Sequence, residues 1–454
     1  MMNGDPLMLT LRSQTAKALK GEVRLPGDKS ISHRALIFGS LAKGQTMIRG
    51  LLEGDDVMST RSALMQLGAD ITLVDDHDDR HWRVNGVGLG GFKTPEAPLD
   101  LGNSGTGARL LMGVIAGSGI SAVFTGDASL SKRPMARVTD PLKEMGATVE
   151  ARDGTYLPLT ISAPDHPQAL AYDSPVASAQ IKSAILLAGL TARGNTSVTE
   201  PKASRDHTEA MLRHFGATVT SQTHDDGRYT ATLEGEAALS ARDVLVPADP
   251  SSAAFLAVAA TITPSSEITL HAVGTNPLRF GLFETLIEMG AQITLSNKRQ
   301  EGGEDVADLT ITSAPLKGVT VPAERAASMI DEYPILSIAA AHAEGSTHMI
   351  GIEELRVKET DRIQLMADGL IAAGVRVDTA QDSMTVHGMG HGAIAGGVTI
   401  DACHDHRIAM AFLTLGLTSQ QPITVMGAET IATSFPNFTD LMNGIGANIT
   451  TVAS

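Results

Sequence analysis

The chain has 454 residues, 43% of them hydrophobic, and its 51 acidic against 35 basic side chains leave a formal charge of -16. That balance repels nucleic acid and anionic membranes, so neither is expected as a partner and any bound anion must meet a local basic cluster. The length allows two or three domains, no run reaches the roughly 18 apolar residues that span a bilayer, and the single cysteine, Cys403, fits a reducing, cytoplasmic setting.

Past Leu25-Pro26-Gly27, the polar Ser30 opens a nearly unbroken apolar helix, SISHRALIF. A second, amphipathic stretch then ends at Gly68 and leads into alternating residues, QLGADITL. The same pair recurs. Apolar helices are expected to begin near Thr106, Ser178, Ser252, Tyr333 and His406, each 38 to 41 residues before a glycine of the second kind, at Gly146, Gly216, Gly290, Gly374 and Gly446. An apolar surface all round predicts burial, and a glycine followed by alternation predicts a helix C-cap running into a strand. Six such units divide three and three at Val246-Pro247-Ala248-Asp249-Pro250, whose two prolines break structure. The segment before Pro26 is expected to join the C-terminal half.

Helix starts that point the same way present free N–H groups and attract anions. Basic residues near these starts stand out against the acidic background: Lys29 and Arg34 in GDKSISHR, Arg133 in SLSKRP, Lys358 and Arg362 in VKETDR, and Arg407 in HDHR. They predict a ligand with phosphates and carboxylates. Asp331 and Glu359 lie among them and suit acid and base catalysis, although Asp331 could simply cap the helix it precedes and Glu359 could pair with Lys358. Gly86, Gly88 and Gly91 match a dinucleotide fingerprint, but Pro95 and Pro98 follow where its helix would have to run. His404 and His406 flank Asp405 without further local metal ligands, so no metal and no cofactor is expected.

The stretches GDKSISHRAL, LGNSGTGARLL, GDASLSKRPM, SAQIKSAILLAGL, SRDHTEAML, SMIDEYP, LRVKETDRI and DHRIAMAF closely resemble the 5-enolpyruvylshikimate-3-phosphate synthases from end to end. The resemblance implies an α/β fold of two similar inside-out barrels, each of three βαβαββ units. One would span residues 26–247 and the other 1–25 with 248–454, the active site lying in the cleft between them. It implies that Lys29, Ser30, Arg34, Ser178, Gln180, Arg205, Asp331 and Lys358 hold shikimate 3-phosphate, and that Lys29, Gly105, Arg133, Gln180, Arg362 and Arg407 hold phosphoenolpyruvate. Asp331, Glu359 and Lys29 would move protons in an addition and elimination that yields chorismate precursors for aromatic amino acids. A cytoplasmic monomer is implied.

His33 and Arg205 resemble the second of the family's two sequence classes, and Thr433 stands where the first class has a phosphoenolpyruvate-binding lysine. The inhibitor glyphosate takes the phosphoenolpyruvate site in this family, with the residue at Gly105 setting the space. The related UDP-N-acetylglucosamine enolpyruvyl transferases carry a reactive cysteine in the other half from Cys403. A noncatalytic binder of phosphorylated metabolites would gain nothing from Asp331 and Glu359.

Overall fold

The computed structural model describes residues 9–76, 79–390 and 392–452. These fold as two compact units. The N-terminal unit is Gly27–Val246 with Glu301–Glu304; the C-terminal unit is Pro247–Gln300, Asp305 onward, and the segment ending at Pro26.

Each unit encloses three apolar helices. In the N-terminal unit they are Lys29–Leu41, Gly105–Ala116 and Ala179–Gly189, and in the C-terminal unit Pro250–Ile262, Tyr333–His342 and His406–Leu415. Their starts fall within two residues of the positions read from sequence. They lie in the core of their units because they have no polar face to turn outward. Small residues let them close in: a Cβ on Gly113 would lie 2.2 Å from the Ala184 carbonyl oxygen, and one on Gly117 would lie 3.0 Å from that of Ala188. Both pairs are offset by the same number of residues, so the second and third helices run parallel.

Around the helices stand six four-stranded sheets, three per unit among the described residues. In every sheet an edge strand runs parallel to a neighbour that pairs antiparallel with a third strand. Alternation decides which face turns inward, as in Tyr156–Ser162, where Leu157, Leu159 and Ile161 are buried. Burying each such side chain contributes about 1.5–3 kcal/mol. Distant segments complete the sheets. Val244–Leu245 lies parallel to Lys43–Arg49, Lys20–Arg24 lies parallel to Glu267–Gly274, and Leu11–Gln14 enters between Ile423–Met426 and Asn448–Thr451.

The six repeat glycines have φ from +95° to +110°. At Gly68 the glycine N–H donates to Met65 and the Ala69 N–H to Leu64, and the same two bonds recur at the other five, which makes six Schellman caps. Glu301–Glu304 joins the N-terminal unit through a 2.8 Å contact of Glu304 Oε1 with His207 Nδ1. Among the described residues no helix is long and apolar enough to cross a membrane.

Candidate active site

In the N-terminal unit the helix starts carry the basic residues. Asp28 accepts from the Ile31 N–H at 2.8 Å and caps the first helix, and Lys29 beside it pairs with Asp56. One turn on, the buried Arg34 donates to Thr208 Oγ1 at 2.7 Å, Ser183 Oγ at 2.8 Å and the Ser30 carbonyl at 2.9 Å. Burial brings its pKa down to about 10 against the pull of Glu209 and Asp28, and Arg205 lowers it further. The guanidinium stays charged at neutral pH. Its three bonds go to neutral oxygens, while Glu209 and Asp28 act on its charge from a longer distance.

The second helix is capped by Ser104 and begins at Gly105. A Cβ there would lie 3.1 Å from Arg109 Nη1 and 3.1 Å from Arg133 Nη1, so two guanidiniums flank the bare backbone. Arg133 is steadied by Asn103 Oδ1 at 2.7 Å and Ser129 Oγ at 3.2 Å. Gln180, in the first turn of the third helix, accepts from Arg109 at 2.8 Å and donates to Thr106 Oγ1 at 3.0 Å. Ser178 precedes that helix, its N–H donating to Glu200 at 2.6 Å. Arg205 is half-buried.

In the C-terminal unit three helix starts meet at Glu332. Its Oε1 accepts from Ser251 at 2.5 Å and from Arg407 at 3.4 Å, and Arg407 also donates to the Asp331 carbonyl at 2.9 Å. Arg362 is 1% exposed and gathers three carboxylates: Asp405 at 2.8 Å, Glu359 at 2.5 Å and Asp331 at 3.4 Å. Burial opposes its charge, but Asp405, Glu359 and Asp331 outweigh burial and raise its pKa. Arg362 is a fixed cation.

Glu359 and Asp331 are therefore drawn together by Arg362. Glu359 turns to Arg362, while Lys358 pairs with Glu354 at 3.5 Å. The N-cap of helix Tyr333–His342 is Glu332, not Asp331. Thr433 Oγ1 lies 3.5 Å from His406 Nδ1. Among the described residues no group of His, Cys, Asp and Glu is arranged to hold a metal.

Sequence reasoning missed Arg109, Asp56 and Asp405 as parts of the site. Arg109 was within reach, since it follows Gly105 by one helical turn in GTGARLL. Asp405 was passed over as a neighbour of two histidines. It caps helix His406–Leu415 through the Arg407 N–H at 2.9 Å and anchors Arg362.

Comparison with known proteins decides the family. The family model described as EPSP synthase (3-phosphoshikimate 1-carboxyvinyltransferase) matches residues 13–442. This chain belongs to the EPSP synthase family. A 3-phosphoshikimate 1-carboxyvinyltransferase of Paracoccus denitrificans is 56% identical over 98% of this chain and 99% of its own. One from Parvibaculum lavamentivorans is 55% identical over 97% and 96%. The EPSP synthase of Acinetobacter baumannii superposes with a TM-score of 0.86 at 45% identity, covering 98% of this chain and all of that one. The enolpyruvyl transferase NikO of Streptomyces tendae, at 19% identity and a TM-score of 0.76, shares the fold. The EPSP synthase fold of two inside-out α/β barrels is thus the fold of this chain, and its activity belongs to the shikimate pathway.

Proposed function

We propose that the protein transfers the enolpyruvyl group of phosphoenolpyruvate to the 5-hydroxyl of shikimate 3-phosphate. The observation that carries this reading is the pair Glu359 and Asp331 on the buried Arg362, in a chain that matches the EPSP synthases along nearly its whole length. Two carboxylates beside one fixed cation are of little use to a protein that only binds anions. They suit a reaction that moves two protons.

The 5-hydroxyl attacks C2 of phosphoenolpyruvate as C3 takes a proton, and the tetrahedral intermediate then loses phosphate together with a proton from the C3 methyl, which restores the vinyl group. Asp331 is assigned to the hydroxyl proton and Glu359 to the C3 proton. Lys29 assists, next to the helix start that holds it. Arg34, Ser30, Ser178, Gln180, Arg205 and Lys358 are assigned to shikimate 3-phosphate. Gly105, Arg133, Gln180, Arg362 and Arg407 are assigned to phosphoenolpyruvate, the bare Gly105 admitting the smaller substrate between guanidiniums. Fixed cations facing the carboxylate and phosphate stabilise charge as bonds change. No cofactor takes part in this scheme. The reaction is placed in the cytoplasm with the enzyme as a monomer, which light scattering on the purified protein checks.

Phosphate release measured with each acceptor tests the reading. Release that depends on shikimate 3-phosphate supports it. Release with UDP-N-acetylglucosamine instead, or with neither, overturns it.

A further inference from the structure

Below the start of the third N-terminal helix lies a cluster of charges with no solvent exposure. Lys182, Glu200 and Glu209 are each 0% exposed, and Lys182 Nζ lies 2.9 Å from Glu200 Oε2 and 2.9 Å from Glu209 Oε1. The ammonium also donates to the Ser204 carbonyl at 3.2 Å and lies 4.8 Å from the centre of the Tyr229 ring. Burial alone lowers the Lys182 pKa, but Glu209 and Glu200 reverse this and raise it, so the lysine is charged.

The partners of Glu200 set this cluster apart from an ordinary core ion pair. Its Oε1 accepts from the Ser178 N–H at 2.6 Å and from the Ser204 hydroxyl at 2.8 Å. One carboxylate thus ties the start of the third helix to the residue next to Arg205, across 26 residues of chain. Glu209, for its part, adjoins Thr208, whose hydroxyl holds Arg34. A buried ion pair is a poor stabiliser beside apolar residues of the same volume. Its hydrogen bonds run to Ser178 and to Ser204, the neighbour of Arg205.

We propose that Glu200, held by Lys182, is a positioning residue for shikimate 3-phosphate: it fixes Ser178 and the Ser204-Arg205 segment in one geometry around that substrate. The inference rests on the assignment of Ser178, Arg205 and Arg34 to shikimate 3-phosphate. Glu200 touches no reacting atom. Its loss should therefore act on one substrate and spare the other.

The test compares Michaelis constants for the two substrates in the wild type, in Glu200→Gln and in Lys182→Met with Glu200→Leu and Glu209→Leu, alongside Arg205→Ala and thermal melts. The triple variant removes all three buried charges together and keeps apolar volume, so it leaves no buried charge unpaired and should still fold. Its KM for shikimate 3-phosphate should rise about tenfold or more, the loss expected for a hydrogen bond to a charged group, while KM for phosphoenolpyruvate stays within about twofold. Glu200→Gln keeps an oxygen for the Ser178 N–H and should lie between. If the triple variant does not fold, the isosteric Glu200→Gln decides by the same two constants. Unmoved constants, or an equal rise in both, overturn the inference. Wild-type turnover independent of shikimate 3-phosphate, or Arg205→Ala without effect on its KM, overturns the functional reading beneath it.

Discussion

Arg362 Nη2 donates to Glu359 Oε2 at 2.5 Å while its Nε donates to Asp405 at 2.8 Å, so a buried cation that Asp405 anchors holds Glu359 in place. Glu359→Gln keeps the shape and an oxygen for Arg362 but removes a proton-transfer group. Its kcat should fall by about 100-fold or more with both KM values within a few-fold of wild type, as steady-state kinetics would show. Asp405→Asn should act differently. By loosening Arg362 it should raise KM for phosphoenolpyruvate and lower kcat together, and kcat near wild type with unchanged KM would show that Asp405 does not position Arg362 for the reaction.

Gly105→Ala places a methyl 3.1 Å from a guanidinium nitrogen of both Arg109 and Arg133. Gly105 has no positive φ, so the backbone accepts alanine, and the crowding falls on flexible arginine ends and on whatever ligand lies there. KM for phosphoenolpyruvate should rise modestly. The inhibition constant for glyphosate, which is longer, should rise more, because a close-packed site feels one methyl. The ratio of the two constants in wild type and variant checks this, and a ratio that does not increase argues against steric control at Gly105.

Two kinds of glycine should respond differently to alanine. Gly216 has φ +98° with its nearest heavy atom 3.8 Å from a built Cβ, so alanine there costs only backbone strain, about 1–2 kcal/mol. Gly113 has an ordinary φ but a Cβ there would lie 2.2 Å from Ala184, which forces two helices apart. Thermal melts should show a drop of a few degrees for Gly216→Ala and a larger one for Gly113→Ala.

The regular part of this fold was legible because each repeat writes its helices locally. An apolar surface all round marks the inner helix, and a glycine that must take positive φ marks the end of the outer one. Which strands close each sheet was less legible, since Val244–Leu245 pairs with Lys43–Arg49 across the whole N-terminal unit and nothing in a two-residue strand names its partner. The site followed the same rule. Lys29, Arg34, Arg133, Lys358, Arg362 and Arg407 stood out as local exceptions to an acidic background. Their partners did not, because Arg34 with Thr208 and Arg362 with Asp405 meet only in the folded chain.

His33 and His342 give the fold a pH dependence of known sign. Burial lowers the pKa of His33 well below its ordinary value, with Lys29 and Arg34 adding to it and Asp28 opposing, and burial also lowers that of His342 against its bond to the Ile338 carbonyl. The unfolded chain takes up these protons near pH 6.5 while the folded one does not. Stability is thus fully present above about pH 6.5 and falls as pH drops below it, by up to about 1.4 kcal/mol per pH unit for each histidine. Denaturant unfolding between pH 7.5 and 5.5 should show a shallower slope in His342→Gln than in wild type, and an unchanged slope would mean that His342 titrates alike in the folded and unfolded chain.

C3 of phosphoenolpyruvate takes a proton while the shikimate 3-phosphate hydroxyl adds to C2, and the mass spectrum of product made in D2O reads that step. Wild type should form an enolpyruvyl ether of shikimate 3-phosphate carrying deuterium in its vinyl group, and Glu359→Gln should form it far more slowly. Product with no deuterium, or no such ether, would rule out the addition and elimination.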